Sequence, residues 1–384
     1  MRILALRVVG LVLPSIHASL IKAFQSLNIQ VLDLPVPNSS GEFRSFIETA
    51  LRGYQAIFTL DMGGNFYFIK NIRDLQLSIR IPFVIWFVDD PEGYGFPETC
   101  EPDWTIPFCW DQEIARKNFS WAGVPVKHLP LATDPTIFSP EKTHPPCFYP
   151  GGVFTGSTAH PNEILESVAR ATPGFWEDVE AIWRVYGNDF RQSLHDLVWM
   201  RLSQKINQTP DLIRSDPLCR LWVQACVYKT GMRKRREVVS RVLQSGGGVF
   251  GDERWREFVD KGLYRGPIAY GDELRKIYNR SAFILDVRQP QARTGLTQRI
   301  FDASACGRPI LTEWSLELET LFDPVDELLC FHNLEGAVEM RECCLRDPQG
   351  ARKRGEKAMQ RVLAHHTYRN RAVQIIQALR QFRG

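Results

Sequence analysis

The residues best placed to do chemistry lie in the C-terminal third, in the stretch Arg293-Thr-Gly-Leu-Thr-Gln-Arg-Ile-Phe-Asp302. A short apolar run, Phe283 to Arg288, leads into a polar loop, Gln289 to Thr294, and then Gly295. A helical segment follows, with Ile300, Phe301, Ser304 and Ala305 on one face. It stops at Gly307; Pro309 blocks continuation, and Ile310-Leu311 starts another buried strand. Strand, Gly loop, helix and strand make a βαβ unit whose helix N-terminus lies at the carboxyl edge of a sheet. Unpaired backbone N–H groups and the positive end of the dipole make that terminus a seat for phosphate. Thr294, Thr297, Gln298 and Arg299 crowd it with further donors. Asp302 sits roughly 7–8 Å along the axis, and helical side chains lean back toward the N-terminus. Its carboxylate therefore reaches a ribose diol while phosphates rest on the first turn. A Gly before a helix and an Asp on it are common in any α/β protein, so spacing alone leaves a purely structural reading open.

The rest of the chain supplies alternating elements to position these residues. Arg2 to Val9, Ile29 to Leu34, Ala56 to Leu60 and Ile81 to Val88 read as strands; Ile16 to Leu27 and Phe43 to Arg52 read as helices. Apolar strands alternating with helices imply a mostly parallel sheet covered on both faces. The loops Asp61 to Asn65, with Gly63-Gly64, and Asp89 to Gly95 then fall at strand carboxyl ends, where doubly wound folds bind ligands. Glu141 to Pro150 is a Pro-rich, polar linker. A second domain restarts at Gly152-Val-Phe-Thr-Gly156-Ser157, a strand and a small-residue turn. Residues 160–240 read as a largely helical insertion with one short strand, Ile182 to Tyr186. The stretches Gly246 to Trp255 and Gly266-Pro-Ile-Ala-Tyr270 read as the next strands with their loops. Val373, Ile376 and Leu379 give the last segment an apolar helical stripe.

Composition excludes several classes. A length of 384 residues holds two core-sized domains, and a net charge of +3 is too small for a nucleic-acid binder. The basic cluster Arg233-Lys-Arg-Arg236 reads as the solvated face of a helix. Nine cysteines without paired or zinc-site spacing point to a reducing compartment, hence the cytoplasm. No apolar run approaches the roughly 20 residues of a membrane span. Met1-Arg2 and the apolar residues after it mimic a signal peptide, but the breaks at Gly10 and Pro14 fit a first strand and turn better.

Gly295, Asp302-Ala303, Ala305-Cys306-Gly307 and Pro309 resemble the donor-site signature of two-domain GT-B glycosyltransferases. In that family a Gly loop precedes an acid-Ala-x-Ala-Cys-Gly-x-Pro segment. The acid, normally Glu, binds the nucleotide ribose; Asp302 is a shorter carboxylate at the matching position. Many retaining members carry a second Glu where this chain has Thr294. Leu129-Pro130 with Asp134 and Phe138 resembles the exit from the first domain, and His366-Thr-Tyr368 the close of the chain. These and Val185-Tyr-Gly187 resemble the spore-maturation CgeB-like branch. The resemblance implies two Rossmann-like doubly wound domains facing a cleft, at 1–140 and 141–362, with a helix at 363–384 returning to the first. It implies a transferase that uses a nucleotide-diphosphate sugar, a UDP-sugar, as donor and a glycan, protein or small molecule as acceptor. The diphosphate would lie on Thr294 to Arg299, facing Gly156 and Ser157. The ribose would go to Asp302, the base to backbone after the Ala269-Tyr270 strand, and Arg299 would supply charge to the leaving diphosphate. Asp90, Asp89 or His17 would take the acceptor's proton. No cofactor and no metal ion are expected, because the seat offers donors and no carboxylate.

Thr294 in place of that Glu also fits a catalytically silent nucleotide- or sugar-binding protein on the same fold. A dinucleotide-dependent oxidoreductase fits worse, since no Gly-x-Gly-x-x-Gly follows the first strand.

Overall fold

A computed structural model of the chain describes residues 1–10, 12–35, 53–60, 73, 76–91, 101–116, 120–121, 124–142 and 146–382. The expected helix at Phe43 to Arg52, the Asp61 to Asn65 loop and the loop beyond Pro91 lie outside the described residues. The chain divides into two compact units, Met1–Thr136 with Val362–Gly384, and Ile137–Arg361.

The first unit is built on strands β1 (Arg2–Arg7), β2 (Gln30–Pro35), β3 (Ala56–Leu60), β4 (Phe83–Phe87), β5 (Thr105–Cys109) and β6 (Lys127–His128). They form a six-stranded sheet in the order β2-β1-β3-β4-β5-β6, parallel at every pair. β3, β4 and β5 are buried along their whole length, which is why they read as unbroken apolar runs rather than alternating ones. Helix α1 (Leu13–Ser26) follows β1, and the short α2 (Gln112–Arg116) follows β5.

In the second unit, β7 (Val153–Thr155), β8 (Gly248–Phe250), β9 (Tyr264–Gly266), β10 (Ile284–Asp286), β11 (Ile310–Glu313) and β12 (Leu329–Phe331) form another six-stranded sheet. Its order is β9-β8-β7-β10-β11-β12, again parallel throughout. Strand order reverses direction between β7 and β10, so a crevice opens at their carboxyl ends, the usual ligand position in a doubly wound sheet. Between β7 and β8 run four longer helices, α3 (Glu163–Ala171), α4 (Phe175–Tyr186), α5 (Leu194–Ile206) and α6 (Pro217–Val242). After β9 come α7 (Asp272–Asn279), α8 (Gln298–Ala305), α9 (Leu316–Leu321), α10 (Leu334–Arg346) and α11 (Pro348–His365). The last helix, α12 (Tyr368–Gln381), belongs to the first unit and packs on α1.

Two expected strands are displaced. Ile182 to Tyr186 lies inside α4: Phe175, Val179, Ile182 and Tyr186 are spaced four, three and four apart and are all buried, a helical period that outweighs the β-branched composition. The strand expected at Gly266 to Tyr270 lies instead at Tyr264–Gly266, pairing Tyr264 with Val249 and Gly266 with Phe250. Pro267 has no N–H to continue the ladder, so the chain leaves the sheet there.

Candidate functional site

The crevice between β7 and β10 is bridged by two buried arginines. Arg299, in the first turn of α8, is 9% exposed. Its Nε donates to the Thr155 carbonyl at 2.9 Å, Nη2 donates to the same carbonyl, and Nη1 pairs with the Asp286 carboxylate. Asp286, at the end of β10, also accepts from Thr297 Oγ1 at 2.6 Å and Thr312 Oγ1 at 3.0 Å. Thr297 is the N-cap residue of α8, but its hydroxyl is turned to Asp286 and makes no capping hydrogen bond. The helix start carries the positive dipole end of any α-helix N-terminus.

Arg235, from α6, is fully buried. Its Nε donates to the Ser157 carbonyl at 2.8 Å and Nη1 to the Val287 carbonyl, so it spans the loops that follow β7 and β10. Its Nη2 has no hydrogen-bond partner among the described residues. Both guanidinium carbons lie over the Phe154 ring, at 4.9 Å for Arg235 and 4.7 Å for Arg299. Gly156 lies between the two Nη2 atoms: a Cβ there would come within 2.7 Å of each, and φ is +151°, so no other residue fits without displacing them. Burial, followed by the neighbouring Arg299 charge, pushes the Arg235 guanidinium down to about 9. A buried cation with a vacant donor and a like-charged neighbour is a place where an anion gains free energy.

The same face of α6 holds the neighbouring loops. Gly231 packs on Pro290, where a Cβ would fall 2.8 Å from Pro290 Cβ. Lys234 Nζ pairs with Glu313 Oε2 at 2.7 Å, and Glu313 Oε1 accepts from the Arg288 backbone N–H at 2.8 Å. Gly231, Lys234 and Arg235 are spaced i, i+3, i+4, which puts them on one helix face. The expectation that Arg233 to Arg236 is a solvated face is thus corrected: Lys234 and Arg235 are buried, and only Arg233 and Arg236 keep partial exposure.

Asp302, expected to take the ribose, lies on α8 in a hydrogen-bonded cluster. Asp302, 1% exposed, accepts from Tyr270 Oη at 2.8 Å and from Gln298 Nε2 at 3.0 Å. Phe138 braces Tyr270 edge-on, with ring centroids 5.2 Å apart. Gly295 is buried at the head of the segment. Thr294 Oγ1 donates to Glu317 Oε2 at 3.3 Å, and its carbonyl accepts from Ser315 Oγ at 2.9 Å. Glu317 is fully buried, so a carboxylate from α9 lies against the threonine. Ser157 Oγ accepts from the Ala159 N–H at 3.2 Å, and the Gly156 carbonyl accepts from Trp255 Nε1 at 2.8 Å.

The structure thus brings Gly156, Ser157, Thr297 and Arg299 to one crevice, and Tyr270, Gln298 and Asp302 to one cluster. Arg299 is committed to a buried ion pair with Asp286. The sequence reading missed Arg235, Lys234, Asp286 and Glu313. The available signal was an acid at the end of each apolar strand, Ile284-Leu-Asp286 and Ile310-Leu-Thr-Glu313, since a carboxylate buried there needs a cation from elsewhere.

The three proton acceptors considered from sequence lie in the first unit. Asp89 and Asp90 follow β4 and are half-buried. His17 sits on α1, 2% exposed, with Nε2 2.9 Å from Asp33 Oδ1. Burial alone would raise the Asp33 carboxyl, but hydrogen bonds from His17 and Arg7 hold it below its ordinary value. Among the described residues no three His, Cys, Asp or Glu side chains converge as a metal site requires. No described helix is long and apolar enough to cross a membrane.

Residues 233–377 match the family model described as glycosyl transferase-like, a span that begins where α6 turns Lys234 and Arg235 inward. No curated protein matches the chain by sequence. Among solved structures, sucrose-phosphate synthase from Thermosynechococcus elongatus is 14% identical, covering 99% of this chain and 98% of that one, with a TM-score of 0.53. Anabaena HepE in complex with UDP-glucose is 12% identical, covering 99% and 100%, with a TM-score of 0.53. An alpha-glucosyltransferase in complex with UDP and a 13-mer DNA containing an HMU base is 11% identical, covering 99% of each chain, also at 0.53. The chain has the two-domain α/β fold of the GT-B glycosyltransferases, and its residues 233–377 are similar to the glycosyl transferase-like family model.

Proposed function

We propose that the protein is a glycosyltransferase that moves a sugar from a nucleotide-diphosphate sugar, a UDP-sugar, to an acceptor hydroxyl without a metal ion, and that it is of the CgeB-like kind. The observation that carries this reading is the guanidinium pair of Arg235 and Arg299 at the β7–β10 crevice, with one donor vacant beside Gly156. The diphosphate is assigned to that pair and to the start of α8, and the ribose to Asp302 beside Tyr270 and Gln298. In transfer, the bond from the sugar's anomeric carbon to the diphosphate breaks and its electron pair stays on the diphosphate. The acceptor oxygen bonds to that carbon and its proton leaves to a base. Arg235 and Arg299, fixed before reaction, stabilise the charge that develops on the leaving group. Asp90 and Asp89 are the proposed bases; His17, buried against Asp33, is the weaker choice.

Calorimetry with UDP and with uridine tests both halves of the site. Asp302→Ala is expected to weaken both ligands about 10- to 100-fold, the equivalent of about 1.5–3 kcal/mol for a charged hydrogen-bond partner. Arg235→Gln is expected to weaken UDP by a similar factor and uridine little. Unchanged UDP affinity in folded variants would remove these assignments.

Thr294 beside the buried Glu317 keeps a second reading in view, a catalytically silent binding protein on the same fold. Slow hydrolysis of UDP-glucose by the purified protein separates the two, since a silent binder gives none. The seat is built from N–H donors and cations, so turnover is expected to persist in EDTA, with Asp90→Asn lowering turnover more than donor affinity. Loss of activity in EDTA with recovery on manganese would overturn the metal-free mechanism.

A further inference from the structure

The second unit has another cavity, of about 440 Å³, lined by α10, α11 and the start of β12. None of the donor-site residues lines it. On α11 the cations outside the cavity's unpaired set have carboxylate partners: Arg352 pairs with Glu356 at 3.3 Å, Lys357 with Asp326 at 2.8 Å and Arg361 with Glu327 at 2.6 Å. Lys353 and Arg354, with Arg346 from the end of α10, line the cavity and have no hydrogen bond or ion pair among the described residues. The two acids on its wall are committed elsewhere, Asp326 to Lys357 and Asp347 to the Gly350 N–H at 2.9 Å, where it caps α11. The floor is apolar and buried: Leu329, Cys344 and Ala351.

We propose that this cavity binds a small phosphate-bearing molecule, with its phosphate held by Arg346, Lys353 and Arg354 and its uncharged body resting on Leu329 and Ala351. Three cations lining one cavity suit a compact dianion, and two arginines supply the planar forks that match phosphate oxygens. The volume falls within the roughly 300–1,000 Å³ of small-ligand pockets. A nucleic acid or a membrane fits less well. Either needs a continuous stripe of cations, and here Asp326 and Asp347 flank the cluster and repel any phosphate beyond the first.

Cys343, half-buried on the cavity wall, reports occupancy directly. Alkylation of Cys343 would be followed by mass spectrometry on the intact protein, with exposed Cys147 as internal control. Glucose 6-phosphate at ten times its Kd is expected to slow Cys343 labelling about tenfold. Glucose should have no effect, and Cys147 labelling should not change. The K353E/R354E variant, or R346Q if that pair misfolds, is expected to lose the protection while keeping the wild-type melting temperature. Protection by inorganic phosphate alone at the same concentration also supports the phosphate assignment. No protection at millimolar glucose 6-phosphate, protection that survives the charge changes, or protection by RNA or anionic vesicles and not by phosphate esters would overturn it. The result does not depend on the donor site, because none of these residues belongs to it.

Discussion

Deleting residues 366–384 is expected to abolish folding of the first unit. The helix removed, α12, buries Tyr368, Ala372, Ile375, Ile376, Ala378 and Leu379. Ile375, Ile376 and Leu379 alone are worth about 1.5–3 kcal/mol each, so their loss approaches the roughly 5–15 kcal/mol that holds an ordinary domain together. Polar losses add to this. Arg371, 2% exposed, donates from Nε to the Pro130 carbonyl at 2.6 Å and from Nη2 to the Leu131 carbonyl at 2.9 Å. The Thr133 N–H donates to the His366 carbonyl at 2.9 Å, and the Tyr368 N–H to the Thr133 carbonyl at 3.1 Å. Deletion removes these hydrogen bonds from buried groups of residues 130–133, each at a cost of about 1–3 kcal/mol where no other partner replaces it. Circular dichroism should show lost ellipticity beyond that of the deleted helix, with fast proteolysis of β1 and α1. A milder change, Ile375→Ala, should destabilise by about 2–5 kcal/mol. A truncated protein that melts at the wild-type temperature would mean that α12 contributes nothing to the fold.

Much of the architecture was legible because its signals are local. The strands at Ala56–Leu60 and Phe83–Phe87 announce themselves as continuous apolar runs, and the Gly295 loop before α8 as a break between two periodicities. The Ile375–Leu379 stripe marks a helix that must bury one side. What the sequence hid was long-range. Lys234 and Arg235 lie in a run of four basic residues on a long helix, where local chemistry favours solvent. Their burial follows from partners 79 residues away at Glu313, 78 at Ser157 and 52 at Val287, which no local pattern announces.

Individual residues around the crevice show the same division. Asp302 with Gln298 four residues earlier is a helix-face pair that spacing suggests, and Tyr270 joins from a loop. The part played by Thr297 was read from its place at the helix start, which suggests a donor pointing at ligand. A hydroxyl there can also turn back, and Asp286 at the end of β10 captures it. The strand expected at Gly266 to Tyr270 failed for a local reason, the missing N–H of Pro267, and that reason was available in the sequence.

Glu313→Gln is expected to destabilise the second unit by about 3–5 kcal/mol, the cost of removing one partner from a buried ion pair. Glu313 is fully buried at the end of β11, with Lys234 Nζ 2.7 Å and Arg288 Nη2 3.3 Å from Oε2. Glutamine keeps the shape and leaves two buried cations, 3% and 5% exposed in Lys234 and Arg288, without their shared negative charge. The pH dependence carries the same signature. Burial on its own raises the Glu313 carboxyl, but Lys234 and Arg288 outweigh it and hold the folded value below the ordinary 4.5. A carboxyl depressed in the folded state contributes stability above its unfolded value, and that contribution fades as pH falls through the folded one. Wild type should therefore lose stability steeply in acid below about 4.5, while Glu313→Gln, already without the charge, should decline less, so the two curves converge. Urea midpoints taken from neutral pH downward would trace this. Adding Lys234→Met to Glu313→Gln removes one stranded cation and should recover part of the loss, a coupling that a double-mutant cycle measures. Glu313 also accepts from the Arg288 N–H at the head of the loop that runs to α8, so Glu313→Gln should weaken UDP binding as well. Stability within about 0.5 kcal/mol of wild type at neutral pH would show that this pair is a solvated ornament and not the support of the crevice.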